Sequence, residues 1–126
     1  MKEIFVFGSN LAGNHHGGAA RTAYKKHGAR WGMGVGHYGC SYAIPTLDQN
    51  KGPMALEDIR TFVEGFVLYA ASHPEWDFKV TRVGCGVAGI DDAVMASMFK
   101  HATGNCSFDL AWQRYLGDEH TYWGTF

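Results

Sequence analysis

The chain has 126 residues, 46% of them hydrophobic and 18% charged, with a formal net charge of −1. That length and balance fit one globular domain, read as residues 1–126, with a core large enough to need no staples. A charge so near zero provides no long-range field for a nucleic-acid backbone, which argues against a generic DNA or RNA binder.

Ile4-Phe5-Val6-Phe7 is a short apolar run ending at Gly8, the pattern of a strand buried on both faces. The segment GSNLAGNHHGG (8–18) then forms a polar, glycine-rich turn. From Gly17 to His27 the small and apolar residues Ala19, Ala20, Ala23 and Tyr24 recur at helical spacing. Gly28 is placed to stop that helix, and Lys25 and Lys26 lie in its last turn, where the helix dipole favours them. Residues 28–39 hold five glycines and read as an irregular excursion. Ser41–Ile44 reads as a second strand closed by Pro45. Leu56–Ser72 is the clearest helix, with Leu56, Ile59, Phe62, Val63, Phe66, Val67 and Ala70 on one stripe and His73-Pro74 at its end.

Phe78–Val83 reads as a strand running straight into Gly84-Cys85-Gly86-Val87-Ala88-Gly89. Asp91 or Asp92 caps the next helix, which buries Val94, Met95, Met98 and Phe99 and stops by Gly104. Ser107–Ala111 is a last short strand before an aromatic tail. Strands alternating with helices imply an α/β fold with a mostly parallel central sheet covered on both faces, a three-layer α/β/α sandwich. In such sheets ligands bind beyond the carboxyl ends of the strands, where both glycine turns belong. Glycine suits such turns for phosphate binding: the backbone N–H groups point outward, no Cβ blocks the oxygens, and the following helix adds partial positive charge. The alternative is a pair of tight strand-to-helix turns with no ligand.

The 17 glycines are about twice the usual share of about 7% and gather at 8–39 and 84–89, as turn residues and not as a flexible tract. Cys40, Cys85 and Cys106 are odd in number and form no CxxC, which reads as free thiols in the cytoplasm. The opening MKEIFVFG is too short an apolar run for a secretory signal, and no stretch approaches the roughly 20 apolar residues of a membrane span.

FGSNLAGNHHGGAARTA, followed by VTRVGCGVAGIDDAV, resembles the two signature loops of macro domains, the ADP-ribose-binding family. The likeness runs through most of residues 4–103 and is sharp in the two loops. It implies a macro-domain-like fold and a ligand set of Gly8, Ser9, Asn10, Gly17, Gly18, Ala19, Gly84, Cys85, Gly86, Val87, Ala88, Gly89, Ile90 and Asp91. In that resemblance Asn10 approaches the distal ribose, and Gly84–Gly89 wrap the pyrophosphate. The GCGVAG form is nearest to the branch of terminal ADP-ribose glycohydrolases and ADP-ribose-1″-phosphate phosphatases, and small bacterial and phage proteins look similar. Three departures bear on chemistry. Ala20 stands where many family hydrolases carry an aspartate. Tyr24 stands where the glycohydrolase branch has a lysine, with Lys25 one residue away. Ala88 stands where that branch often has an aspartate. The chain is also short for the family, so an edge strand or helix is expected to be missing.

Other signals have two readings. His15 and His16 are either an exposed loop pair or a source of one group that touches ligand or, because imidazole titrates near neutrality, acts as acid/base in a site that lacks carboxylates. Cys85, between two glycines, reads first as a small loop residue and second as an activated thiol. Asp91 and Asp92 are helix caps first and ligand contacts second. Gly34–Gly39 matches GxGxxG, but neither follows a clear strand nor opens a helix, so it reads as an excursion or a ligand-covering loop. His37, Cys40, His101 and Cys106 lack paired zinc-ligand spacing, and no metal or organic cofactor is expected. Trp112, Tyr115, Tyr122, Trp123 and Phe126 are expected to pack the sheet edge more than to stack on adenine.

The expected function is binding of ADP-ribose or a related nucleotide, as a reader or sequestering protein, with ADP-ribosylated protein or nucleic acid as partner and no membrane. Two alternatives stand beside it. One is a hydrolase of ADP-ribosyl bonds or of ADP-ribose-1″-phosphate at the same site. The other is a protein-interaction module with degenerate loops. The residues carry no signature of oligomeric state.

Overall fold

Ile4–Phe7 is the middle of a longer strand, β1 (Lys2–Asn10), that continues through Gly8 and Ser9 before the chain turns. The computed structural model describes residues 2–126. Along β1 the side chains alternate: Ile4 and Val6 enter one core, and Phe5 and Phe7 face the other. β1 lies at the centre of a six-stranded sheet of order β2-β3-β1-β4-β5-β6. The further strands are β2 (Gly36–Tyr38), β3 (Ser41–Leu47), β4 (Trp76–Val80), β5 (Cys106–Asp109) and β6 (Thr121–Gly124). β1 pairs in parallel with β3 and β4, β4 with β5, and β5 with β6, while β2 is antiparallel to β3. The result is an α/β fold with a mostly parallel, mixed sheet.

Helices pack on both faces. α2 (Leu56–Ala71) and α3 (Asp92–Met98) bury Ile59, Val63, Phe66, Ala70, Met95 and Met98 against Ile4, Val6, Ile44, Phe78, Val80 and Phe108. α1 (Gly18–Lys26) covers the opposite face with a smaller core, in which Ala23 meets Phe7 and Ala43. Alanine on α1 lets its backbone approach the sheet closely, over Phe5 and Phe7 of β1. A one-turn helix, α4 (Gln113–Leu116), follows a 3₁₀ turn at 110–112 that buries Trp112.

Several elements differ from the sequence reading in extent. Pro45 does not close β3, because β2 pairs only with Ser41–Ala43 and no neighbour on that side needs the N–H that Pro45 lacks. The 28–39 excursion contains β2, which the five glycines concealed. β4 starts and ends earlier than Phe78–Val83, since its register is set by Lys2↔Trp76 through Val6↔Val80. α3 ends at Met98, well before Gly104. Of the aromatic residues expected at the sheet edge, Tyr122 and Trp123 lie there as part of β6, whereas Trp112 is buried in the main core, Tyr115 is exposed and Phe126 lines the cavity between the glycine turns. Among the described residues no helix is long and apolar enough to cross a membrane.

Candidate functional site

Both glycine turns leave the carboxyl ends of neighbouring strands, and at their base they touch. A Cβ added to Gly8 would meet the Gly84 nitrogen at 3.0 Å, so β1 can enter the site only without a side chain there. Gly84 itself sits at φ +80°, walled by Met95, Ile90 and Thr46. Above this contact the loops part around a cavity of about 350 Å³. Gly8, Ser9, Asn10, Gly17, Gly18 and Ala19 of the first expected set line it, as do Gly84, Cys85, Gly86, Val87 and Ala88 of the second. Gly89, Ile90 and Asp91 do not. They close the second turn from behind: Gly89 and Ile90 donate to the Gly86 and Gly84 carbonyls, each at 2.9 Å, and Asp91 caps α3 by accepting from the Ala93 amide at 2.8 Å.

The backbone of the two loops leaves donors free. In the second loop Cys85, Gly89 and Ile90 donate within the turn, whereas among the described residues the amides of Gly86, Val87 and Ala88 have no acceptor. In the first loop Gly17 is the N-cap of α1 and no side chain caps the helix, so the first-turn amides at 18–20 also lie open along the cavity wall. A Cβ at Gly17 or Gly86 would meet nothing within 4 Å. The helix after the second loop, α3, offers no such end, because the Asp91 carboxylate already accepts a first-turn amide and Asp92 adds negative charge there.

Side chains fix the loops. Asn10, 7% exposed, donates from Nδ2 to the Asn14 carbonyl at 2.9 Å and accepts the Asn14 amide on Oδ1 at 3.1 Å. Its amide therefore organises the first turn and keeps one N–H and one lone pair beyond those bonds. Ser9 donates to the Gly34 carbonyl, and Gly34 packs so closely on Asn10 that a Cβ there would strike its carbonyl oxygen. The GxGxxG segment is thus a brace under the first loop.

The two histidines separate. His16 is exposed and lines the cavity. His15 is 2% exposed and lies outside the lining, edge-on to Phe7 and Trp31, with Nε2 donating to the Arg30 carbonyl at 2.8 Å and Nδ1 unpartnered. Of the two imidazoles only His16 reaches the cavity wall; the ring of His15 fills space between the sheet and the 28–33 loop.

Sequence reasoning missed the walls that come from outside the two loop segments, Thr46, Leu47, Lys51 and Asp109, and the cavity role of Phe126; Asn14, Ala20, Thr81 and Arg82, within or beside those segments, complete the lining. Asp109 is fully buried; one oxygen accepts from the Ala111 amide at 2.9 Å and the other from the Phe126 amide at 3.1 Å, which holds the tail against the cavity. The signal for it was positional, a carboxylate at the carboxyl end of a strand. Arg82 binds Asp92 through two hydrogen bonds, and Trp112 donates to the same carboxylate at 2.7 Å. Asp92 is held well below the usual carboxylate range, chiefly by Arg82 and then by Trp112. Burial, and then the Asp92 carboxylate, push the Cys85 thiol up to about 12, so at neutral pH it is no nucleophile.

Comparison with known proteins reaches the fold and stops there. A protein of unknown function from Bacteroides thetaiotaomicron is similar in structure over 79% of this chain and 78% of its own, at 15% identity and a TM-score of 0.57. A second protein from the same organism aligns over 86% and 89%, at 19% identity and a TM-score of 0.48. No protein-family model and no curated protein matches the sequence. The similarity to the first of these proteins shows the same α/β fold, a mixed sheet flanked by helices.

Proposed function

We propose that the cavity binds ADP-ribose or a close derivative on a macro-domain-like, three-layer frame, with the pyrophosphate between the two glycine turns. The observation that carries this reading is the set of open amides at 18–20 and 86–88 lining one cavity. A pyrophosphate needs many short-range N–H donors with no Cβ in the way, and the uncapped start of α1 adds partial positive charge. Lys51 adds a cationic group to the lining, whereas the Arg82 charge is already met by Asp92. The resemblance of the first loop to macro domains assigns the distal ribose to the Asn10 end, beside Asn14 and His16. The adenosine half then extends toward Thr81, Asp109 and Phe126.

Binding, and not turnover, is the primary role in this reading. Ala20, Tyr24 and Ala88 stand where relatives place their catalytic groups. Among the described lining residues the one carboxylate is Asp109, and both of its oxygens already accept hydrogen bonds. A second reading, slow hydrolysis of ADP-ribosyl bonds or of ADP-ribose-1″-phosphate, rests on one observation: His16 places an imidazole on the cavity wall.

Amide chemical shifts test the proposal directly. Adding ADP-ribose to uniformly ¹⁵N-labelled protein is expected to move the resonances of residues 18–20 and 86–88 most, and AMP to move 86–88 far less. Shifts confined to the second, separate cavity by Phe5, His27 and Trp123 would reject the site.

A further inference from the structure

The near-zero net charge conceals a division along the chain. Residues 4–47 contain four Lys and Arg and no Asp or Glu, whereas residues 48–126 contain six Lys and Arg against eleven Asp and Glu. The fold carries part of this division into space, and the acidic group beside Phe5 and His27 on the α1 side, Glu3, is paired with Lys79 at 3.2 Å. α1 packs on the face of the sheet opposite α2, and α2 carries Glu57, Asp58 and Glu64. On the α1 side Arg21, Lys25 and Arg30 are exposed, and among the described residues none of them is in an ion pair.

Aromatic rings lie among these cations. Tyr24 and Trp31 are each 46% exposed, with ring centroids 5.6 Å apart. Tyr24 follows Arg21 by three residues on α1 and so shares its flank of the helix. Trp31 in turn stands 4.8 Å from the ring of His16, which lines the cavity. Cations and half-exposed rings therefore form one continuous surface that ends at the cavity mouth.

We propose that this surface binds single-stranded nucleic acid. Unpaired Arg and Lys meet the phosphates, while Trp31 and Tyr24 offer faces on which unstacked bases lie. A duplex keeps its base faces inside its own stack and cannot use the rings. An acidic peptide satisfies Arg21 and Lys25 but leaves Trp31 and Tyr24 without planar partners. The surface stands on its own residues; only its continuity with the cavity, which brings a modified strand end or base to His16, rests on the nucleotide reading above.

The test is fluorescence anisotropy of end-labelled oligothymidylate and oligouridylate of about 12 nucleotides, a length within the usual single-strand site range, titrated with the whole protein at several salt concentrations. Saturable binding that weakens with salt is expected. Arg21→Gln/Lys25→Gln is expected to reduce the log–log salt slope by about 1.4, two phosphates at about 0.7 each. Trp31→Ala is expected to weaken binding roughly tenfold. Tyr24→Ala, a second ring variant that leaves Trp31 over His15, is expected to weaken it in the same direction. ADP-ribose affinity of the Arg21→Gln/Lys25→Gln variant is expected to match wild type, so the two proposals fail separately. Absence of saturable binding overturns the inference. So does binding that these variants leave unchanged, or equal competition by polyglutamate together with insensitivity to both ring variants, which marks a surface for acidic protein.

Discussion

Arg82 and Asp92 join end to end across the base of the second glycine turn, with Nε donating to Oδ1 at 2.8 Å and Nη2 to Oδ2 at 2.6 Å. The bond ties the chain just before the turn to the first residue of α3, and Trp112 fastens the same carboxylate to the segment after β5. Asp92 is held below its ordinary value of 3.8, so the stability it contributes is complete above that value and declines as the pH falls below it. Asp92→Asn is therefore expected to be less stable than wild type at pH 7, by about 1 kcal/mol. The figure is small because the Arg82 side chain is 46% exposed and water takes over part of the interaction. Urea unfolding at pH 7 and at pH 3 checks this: the gap between the two proteins is expected to narrow at the lower pH, and a gap that widens contradicts it.

Two glycines of one loop are expected to respond in opposite ways. Gly84 is at φ +80°, and a Cβ there would meet Met95 Sδ at 3.2 Å and Ile90 Cδ1 and Thr46 Cγ2 at 3.3 Å. Gly84→Ala is expected to lose at least about 1–2 kcal/mol from the left-handed backbone alone. Gly86 meets nothing within 4 Å, and Gly86→Ala is expected to stay within about 0.5 kcal/mol of wild type. Thermal melts of the two variants measure the contrast.

The adjacent histidines are expected to separate by role. His15→Ala removes a buried ring and its hydrogen bond to Arg30, for a loss of roughly 2–5 kcal/mol. His16→Ala, at an exposed position, is expected to leave stability within about 0.5 kcal/mol. Any hydrolysis of ADP-ribosylated substrates is expected to be slow and to disappear in His16→Ala. Fast turnover that survives this change would refute the reader assignment and show that another group acts as base.

Thiol reactivity should follow burial and not proximity to the loop. Cys40 is exposed, whereas Cys85 and Cys106 are each pushed up to about 12, chiefly by burial. Iodoacetamide at neutral pH is expected to label Cys40 first, as read by mass spectrometry of the digest. Preferential labelling of Cys85 would mean that the second loop activates the thiol.

How much of this was legible in the sequence depended on whether the signal was local. The βα units were readable because Ile4–Phe7, Leu56–Ser72 and the glycines after them carry periodicity and punctuation within a few residues. β2 and β6 were not, since Gly36–Tyr38 and Thr121–Gly124 become strands by pairing with residues already in the sheet. The same distinction holds at the site. The loop glycines announced a cavity, while Lys51, Asp109 and Phe126 reach it from distant parts of the chain through sheet order, which periodicity does not encode. His15 was misplaced for a related reason: next to His16 in a polar turn, it is covered by Trp31, an aromatic supplied by the following glycine-rich excursion.

Calorimetric titration of ADP-ribose into wild type and Gly86→Glu, side by side, tests the central claim most directly. A glutamate at Gly86 puts bulk and negative charge where the open amides would receive phosphate oxygens, and the space around Gly86 lets the fold survive it. Wild type is expected to bind in the micromolar range or tighter, and the folded variant to give no measurable heat. Equal binding by the two proteins, or no binding by wild type, would contradict the assignment of the cavity.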